Sequence, residues 1–481
     1  MKAIVIGSTK HLLFFAIYGF IASLLLFIAA VVWFLTARSE LEIWHTTRLK
    51  SEYHQQSGLT AFSQYLDLEQ KLFDELDRKI YQQYTPKLAS PINRYEANSL
   101  SDPNQWDINW NRSFEWSNPD AKYGILFIHG MSDSPYAISN LARHFSASAD
   151  VLGLRLPGHG TIPAGLADIT WPDLASAVAL ATEHMKQKLA GKPLYVVGFS
   201  TGAALALNLQ LEAIAVNNPT DYQAMIFLSP AIGLAPIAAG AKWQARLGRL
   251  INQEKLFWNT IEVEYDPFKY ISFAVNAGDV VYQLAERNQN LIKQFEKQQL
   301  ANIPPILTFQ SIADDTVSTN AVVEHLYQYL PSDKHSLVIF DINRNRNNHQ
   351  LITKNLLNEM GPLWLNMPMN YRLSLIENSQ QSEHGVQEQN LIESKELDAV
   401  ELALKWPAGV FSLSHVALPF PENDPLYGPH YQPQSQHIQI GQAIFKGERG
   451  LFGIPAAEML RQKWNPFYPY MLDRLEQFIE P

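Results

Sequence analysis

The hydrophobic pattern along the chain falls into three regimes. The first is an apolar run from His11 to Ala37 that contains no Asp, Glu, Lys or Arg. At about 27 residues it exceeds the roughly 20 that a helix needs to cross a bilayer core, which predicts one transmembrane span. A cleavable signal peptide would show an apolar region of about 7–15 residues ending in a small-x-small site, whereas this run ends Phe34-Leu35-Thr36-Ala37. Lys2 and Lys10 precede the span and Arg38, Arg48 and Lys50 follow it, so the charge bias hardly orients it. The short leader then places the amino terminus inside and the large domain across the membrane.

The second regime runs over residues 38–119 and is read as a stalk or packing segment. Leu68, Leu72, Leu76 and Ile80, with Phe62, Tyr65 and Phe73 beside them, form one helical stripe between Ser57 and Tyr84. The stretch from Ser99 to Pro119 sets Trp106, Trp110 and Trp116 among Asn, Asp, Ser and Pro, which predicts irregular or edge structure with the tryptophans as core anchors.

In the third regime, 120–481, short apolar runs alternate with helical patterns. Tyr123–His129, Asp150–Leu156, Leu194–Gly198, Ala224–Leu228, Ile306–Gln310 and Ser336–Phe340 read as buried parallel strands. Helical character lies between them at Tyr136–Phe145, Trp171–Leu189, Ala203–Ala215 and Asn320–Tyr329. That alternation predicts an α/β fold with a doubly wound, mostly parallel sheet. The interval 232–303 is too long for a connection and is read as an inserted helical cap over the carboxyl edge of the sheet, where open α/β sheets keep their sites. Residues from about 355 onward form a C-terminal extension, in which the polar tract Asn378–Ser394 is expected to be a mobile loop.

Composition narrows the chemistry. The chain of 481 residues has no Cys, which excludes a catalytic thiol, a zinc ribbon and any disulfide. A net charge of −10 gives no basic footprint for nucleic acid. There is no GxGxxG, Walker loop or HExxH, so no cofactor and no metal are expected. His45 and His54 lack metal-ligand spacing and are read as solvated surface.

One motif carries nucleophilic chemistry. The strand Leu194–Gly198 runs into Gly198-Phe199-Ser200-Thr201-Gly202 and then a helix beginning Ala203-Ala204-Leu205. A nucleophile elbow needs a strand before it, a helix after it, and glycines two positions either side of the serine, because the strained turn leaves no room for side chains. Ser200 is therefore the candidate nucleophile, at a helix amino end whose dipole favours developing negative charge. The loop Ile128-His129-Gly130-Met131 follows the first strand. Acyl transfer needs two N–H groups aimed at the oxyanion, assigned to Met131 and Thr201. His129 and His159 each neighbour a turn glycine and are read as fixing their loops.

IHGMSDSP, RLPGHG and GFSTG, in this order and these strand contexts, resemble the α/β-hydrolase superfamily, in the branch of monoglyceride lipase-like and serine aminopeptidase-like esterases. The resemblance is strong over Tyr123 to Tyr329. FQSIADDTVS and FSLSHVALPFPENDPLYG are similar to a subgroup of membrane-anchored bacterial hydrolases. The family implies a Ser–Asp–His triad in that chain order. Its D-x-x-V loops match Asp314 with Val317, with adjacent Asp315 the alternative acid. Spacing alone selects His349, which follows the strand Ser336–Phe340. The polar connection 343–348 and the apolar setting of His415 speak against it, and the resembled subgroup carries its histidine in the SLSH segment after an extra strand such as Tyr371–Ile376. His415 is the candidate base and His349 the alternative.

These readings give a membrane-anchored serine hydrolase that cleaves acyl or lipid-like esters without a cofactor. By resemblance it would sit in a bacterial inner membrane with the catalytic domain on the periplasmic side. An acyltransferase using the same triad, a peptidase, and a non-catalytic protein that keeps the fold remain open alternatives. Acyl chain, head group and oligomeric state are not readable.

Overall fold

The computed structural model describes residues 2–85, 92–234, 253–344, 360, 369–382, 384–392, 395–396, 398–430, 432–442 and 461–480. The strands are β1 (Phe114–Trp116), β2 (Gly124–Ile128), β3 (Asp150–Leu154), β4 (Leu194–Phe199), β5 (Ala224–Leu228), β6 (Trp258–Thr260), β7 (Phe273–Ala274), β8 (Ile306–Ser311), β9 (Ser336–Phe340), β10 (Arg372–Asn378), β11 (Gly385–Ile392), β12 (Lys395–Glu396) and β13 (Val400–Lys405). All but β6 and β7 form one 11-stranded sheet in the order β1-β3-β2-β4-β5-β8-β9-β10-β11-β12, with β13 also on β11. The run from β3 through β10 is parallel, while β1 and β11 join it antiparallel.

Both faces of the parallel strands are covered, which explains why they read as continuous apolar runs. Leu126, Ile128, Val196, Phe227, Ile306 and Ile339 point to one face, and Ile125, Phe127, Val197, Ile226, Phe309 and Val338 to the other. The first face is packed by helices Trp171–Leu189, Thr201–Ala215 and Val275–Gln294; the second by Tyr136–Phe145 and the terminal helix Tyr468–Ile479.

The stripe predicted around Leu68 is the helix Phe62–Leu76, which buries Phe62, Tyr65, Phe73 and Leu76 in the first core, with Leu72 buried beside them. Burial of each such side chain contributes about 1.5–3 kcal/mol. The segment is fastened by charge as well. Arg155, fully buried, donates to Glu69 at 3.0 Å and Glu52 at 3.1 Å. Trp110 is buried against Phe114 and Trp116, and β1 is an edge strand, as the Trp-rich stretch predicts.

Three expectations need correction. First, the interval 232–303 is not all cap. Helix Val275–Gln294 lies on the helix after Ser200, with Asn208 Nδ2 donating to Asn288 Oδ1 and Asn288 Nδ2 to the Ala204 carbonyl, each at 2.8 Å. It is the crossover into β8, and its first turns, through Val275, Gly278 and Val281, join residues 259–273 in lining the cavity beside Ser200. Second, the tract 378–394 is not a mobile loop throughout, because β11 pairs with β10 on one side and β13 on the other. Its polar side chains hid the strand because they are satisfied in pairs: Gln387 donates to Glu377 at 2.9 Å, and Glu388 meets Arg474 of the terminal helix at 2.6 Å. Third, His45 is not on the surface. It is buried, with Nε2 3.0 Å from Ser272 Oγ and its ring edge-on to Trp258 at 4.8 Å. His54 is half-exposed.

The apolar amino-terminal run is a helix, Lys2–Thr36, and its stretch Phe14–Val31 is long and apolar enough to cross a membrane and is not buried in the fold.

Candidate active site

Ser200 sits between β4 and helix Thr201–Ala215 at φ 52°, ψ −111°, a backbone conformation that L residues avoid. The turn is over-determined. Ser200 N–H donates to the Leu228 carbonyl at 2.9 Å, while its carbonyl accepts from Ala231 at 3.1 Å and Ala204 at 3.2 Å. A Cβ on Gly198 would lie 2.5 Å from Ala203 N, and one on Gly202 would press into the Ile128 carbonyl oxygen. The two glycines are thus required by close backbone approach.

The loop after β2 lies against the same serine, since a Cβ on Gly130 would come 3.2 Å from Ser200 Cβ. His129 is consumed by this loop. The Leu156 N–H donates to its Nε2 at 3.0 Å, so the ring proton is on Nδ1, which donates to the Gly130 carbonyl at 2.8 Å. Burial, then the neighbouring His159, holds the His129 pKa well below the ordinary imidazole value. His159, with Nδ1 on the Pro157 carbonyl at 2.8 Å, is lowered by burial to about 3. Both stay neutral and structural.

The candidate acid and base come from distant parts of the chain. Asp314 follows β8 and its side chain is completely buried; Oδ1 accepts from the Thr316 and Val317 N–H groups at 2.9 and 3.1 Å, and Oδ2 meets His415 Nδ1 at 2.8 Å. Burial pushes its pKa up, but the His415 charge and the hydrogen bonds to His415, Val317 and Thr316 outweigh that and hold it below the usual carboxylate range. Asp315 turns away, 94% exposed and 3.9 Å from Arg461. His349 lies outside the described residues.

His415 is carried in by the extension and stitched in place through backbone. Ser311 Oγ donates to the Leu413 carbonyl at 2.8 Å, Asn343 N–H to Phe411 at 2.7 Å, and Asn343 Nδ2 to Val410 at 2.9 Å. Ser414 Oγ donates to the Gln462 carbonyl, and the ring packs on Phe199 at 5.1 Å.

Ser200, Thr201, Met131 and His415 line one cavity of about 840 Å³. Its opposite wall is the strap 259–275, which the motifs did not reveal. The strap is tied to the loop beside Ser200: Tyr270 N–H donates to the Ser132 carbonyl at 2.8 Å, and Lys269 pairs with Asp133. From outside, Arg94 donates to the Asp266 and Lys269 carbonyls and Asn111 to Pro267. Tyr427 also reaches the cavity wall, where its hydroxyl meets Asp266. Asp133 and Lys269 gave no signal because a lone acid and a lone base far apart in sequence carry no pattern. Among the described residues no group of His, Asp and Glu is arranged to hold a metal ion.

Comparison with known proteins finds a family likeness over part of the chain. The sequence model of the alpha/beta hydrolase family matches residues 125–331, a span that includes Ser200 and Asp314 and ends before His415. No curated protein matches. Among solved structures, the chain is similar to the metagenome-derived lipolytic enzymes LipS and LipT, with 20% identity and a TM-score of 0.38 over 53% of this chain and 98% of that one. A monoacylglycerol lipase from Paleococcus ferrophilus gives 16% identity and 0.36 over 48% and 88%. A monoglyceride lipase from Saccharomyces cerevisiae gives 15% and 0.38 over 48% and 82%.

Proposed function

On the premise that residues 125–331 form an α/β-hydrolase domain, we propose that this chain is a membrane-anchored serine hydrolase acting on acyl or lipid-like esters. The observation that supports it best is the buried Asp314–His415 pair, 2.8 Å apart, opening on the cavity that Ser200 also lines. In this reading His415 Nε2 takes the Ser200 hydroxyl proton as Oγ bonds to the ester carbonyl carbon. The oxyanion is held by the N–H groups of Met131 and Thr201, and the imidazolium is stabilised by Asp314. The alkoxide then leaves with the proton from His415, and water repeats the sequence on the acyl-enzyme. The N–H of Thr201, first in its helix, has no intrahelical acceptor, which suits that task.

The test is labelling of the detergent-solubilised full chain with a fluorophosphonate, with Ser200→Ala as control. Labelling of wild type that vanishes in the variant is expected; equal labelling of both would sink the assignment. Esters presented with and without a competing alcohol then separate hydrolysis from acyl transfer.

A further inference from the structure

The amino-terminal helix ends at Thr36, and the next residues grip the chain where it enters the strap. Arg38 donates from Nη1 to the Lys255 carbonyl at 2.7 Å and the Trp258 carbonyl at 2.6 Å, and from Nη2 to the Asn259 carbonyl. Lys255 answers in the other direction. Its Nζ pairs with Glu40 at 2.7 Å and reaches the Arg38 and Leu35 carbonyls at 3.4 and 3.5 Å. The two cations therefore cross-link the helix exit to the short stretch 255–259 that leads into the strap. That stretch is part of the site, because Asn259 and Thr260 line the cavity that holds Ser200 and His415.

A flexible tether would leave the catalytic domain free to tumble above the bilayer. The observed junction does the opposite. A guanidinium spent on three backbone carbonyls fixes direction as well as distance. It does so one residue from the cavity rim. Where the helix leaves the hydrocarbon, the rim must follow.

We propose that the Arg38–Lys255 latch holds the mouth of the cavity against the bilayer surface, so that the ester enters from the leaflet. This rests on the hydrolase reading above and narrows its substrate to an amphiphilic ester resident in the membrane. Such an ester partitions its chain into lipid and presents its carbonyl at the headgroup level, which is where the rim is held.

The chain has no cysteine, so one introduced thiol gives a uniquely placed label. The full-length N259C variant, labelled with an environment-sensitive fluorophore, is reconstituted in phosphatidylcholine vesicles whose acyl chains are brominated near the headgroup. V216C serves as the distant control, since exposed Val216 follows a 15-residue helix that leads about 22 Å away from Ser200. The Asn259 label is expected to lose most of its emission and the Val216 label none. In parallel, R38Q is expected to cut turnover of a vesicle-embedded ester by about tenfold through lost presentation, with a water-soluble short-chain ester unaffected. An unquenched Asn259 label, or an equal effect of R38Q on both esters, overturns the latch while leaving the hydrolase reading intact. A quenched label with no turnover of either ester by wild type sinks the hydrolase reading, and the entry route with it.

Discussion

On one side of the cavity, the constraints on Ser200 come from its immediate neighbours in sequence and from the strands beside β4. Gly198 and Gly202 permit the approach of Ala203 and Ile128, and the Leu228 and Ala231 backbones pin the turn. On the other side, His415 stands 101 positions beyond its partner Asp314 and is held by Ser311, Asn343 and Gln462, none of them near it in sequence. A site can thus join one half whose geometry is written in a five-residue word with another assembled by long-range backbone hydrogen bonds. The first half should be intolerant of added volume, the second of lost hydrogen bonds.

The largest effect tests whether the halves act as one unit. His415→Ala and Ser200→Ala are each expected to lower kcat for ester hydrolysis by about 10⁴-fold or more, and the double variant should be no worse than either. Steady-state rates on a soluble ester read this directly. His349→Ala should stay near wild type; if it alone abolishes turnover, the base has been misassigned.

Next in size is the steric half. Gly202→Ala drives a Cβ into the Ile128 carbonyl oxygen, where neither backbone can yield. A loss of roughly 4 kcal/mol in stability is expected, measured by denaturant unfolding of the detergent-solubilised chain. An unchanged midpoint would show that the turn relaxes and that glycine is not required there.

The contrast between these halves also explains what could be read before the structure. The parallel core was legible because every strand is buried on both faces and spells itself as an apolar run. The elbow was legible because strain forces glycine at fixed offsets. β11 was not, since Gln387 and Glu388 find partners in Glu377 and Arg474 and a satisfied polar strand resembles a loop. The strap escaped because its attachment runs through Arg94, Asn111 and His45, single residues whose partners are backbone carbonyls or a lone serine. Spacing favoured His349 because interval rules assume that the histidine follows the strand after the acid, whereas β10 to β13 lie between β9 and the candidate His415.

The histidines sharpen the comparison through pH. His159 on the nucleophile side and His45 under the strap are held neutral by burial, at about 3 and about 4. Both lie below the ordinary unfolded value near 6.5. At these two groups the unfolded state therefore binds more protons across that interval, and their contribution to stability rises with pH from about 4 to 6.5. The expected difference is roughly 3 kcal/mol for each histidine at pH 4. Thermal or denaturant unfolding at pH 4 and 6.5 measures it, and His159→Asn should remove about one histidine's share. A variant with the full pH dependence of wild type would show that His159 is not the group that titrates.

The smallest effect is the most discriminating between the halves. Ser311→Ala removes the hydrogen bond from Oγ to the Leu413 carbonyl, two residues before His415, together with the longer one that Oγ accepts from the Ala313 N–H at 3.3 Å. The net stability cost of one such bond is only about 1 kcal/mol. Freeing the backbone before His415 displaces the imidazole relative to Ser200, however, and small misplacements at a reacting pair lower rates by up to about 10²-fold. The expected result is a kcat reduced by about 10-fold to 100-fold with KM little changed, and fluorophosphonate labelling slowed in proportion, because both report how well His415 takes the Ser200 proton. Ser311→Thr, which keeps the hydroxyl, should restore most of the rate. If Ser311→Ala instead lowers stability and leaves kcat alone, His415 is held by Asn343 and Gln462 without Ser311, and the long-range half is as over-determined as the elbow.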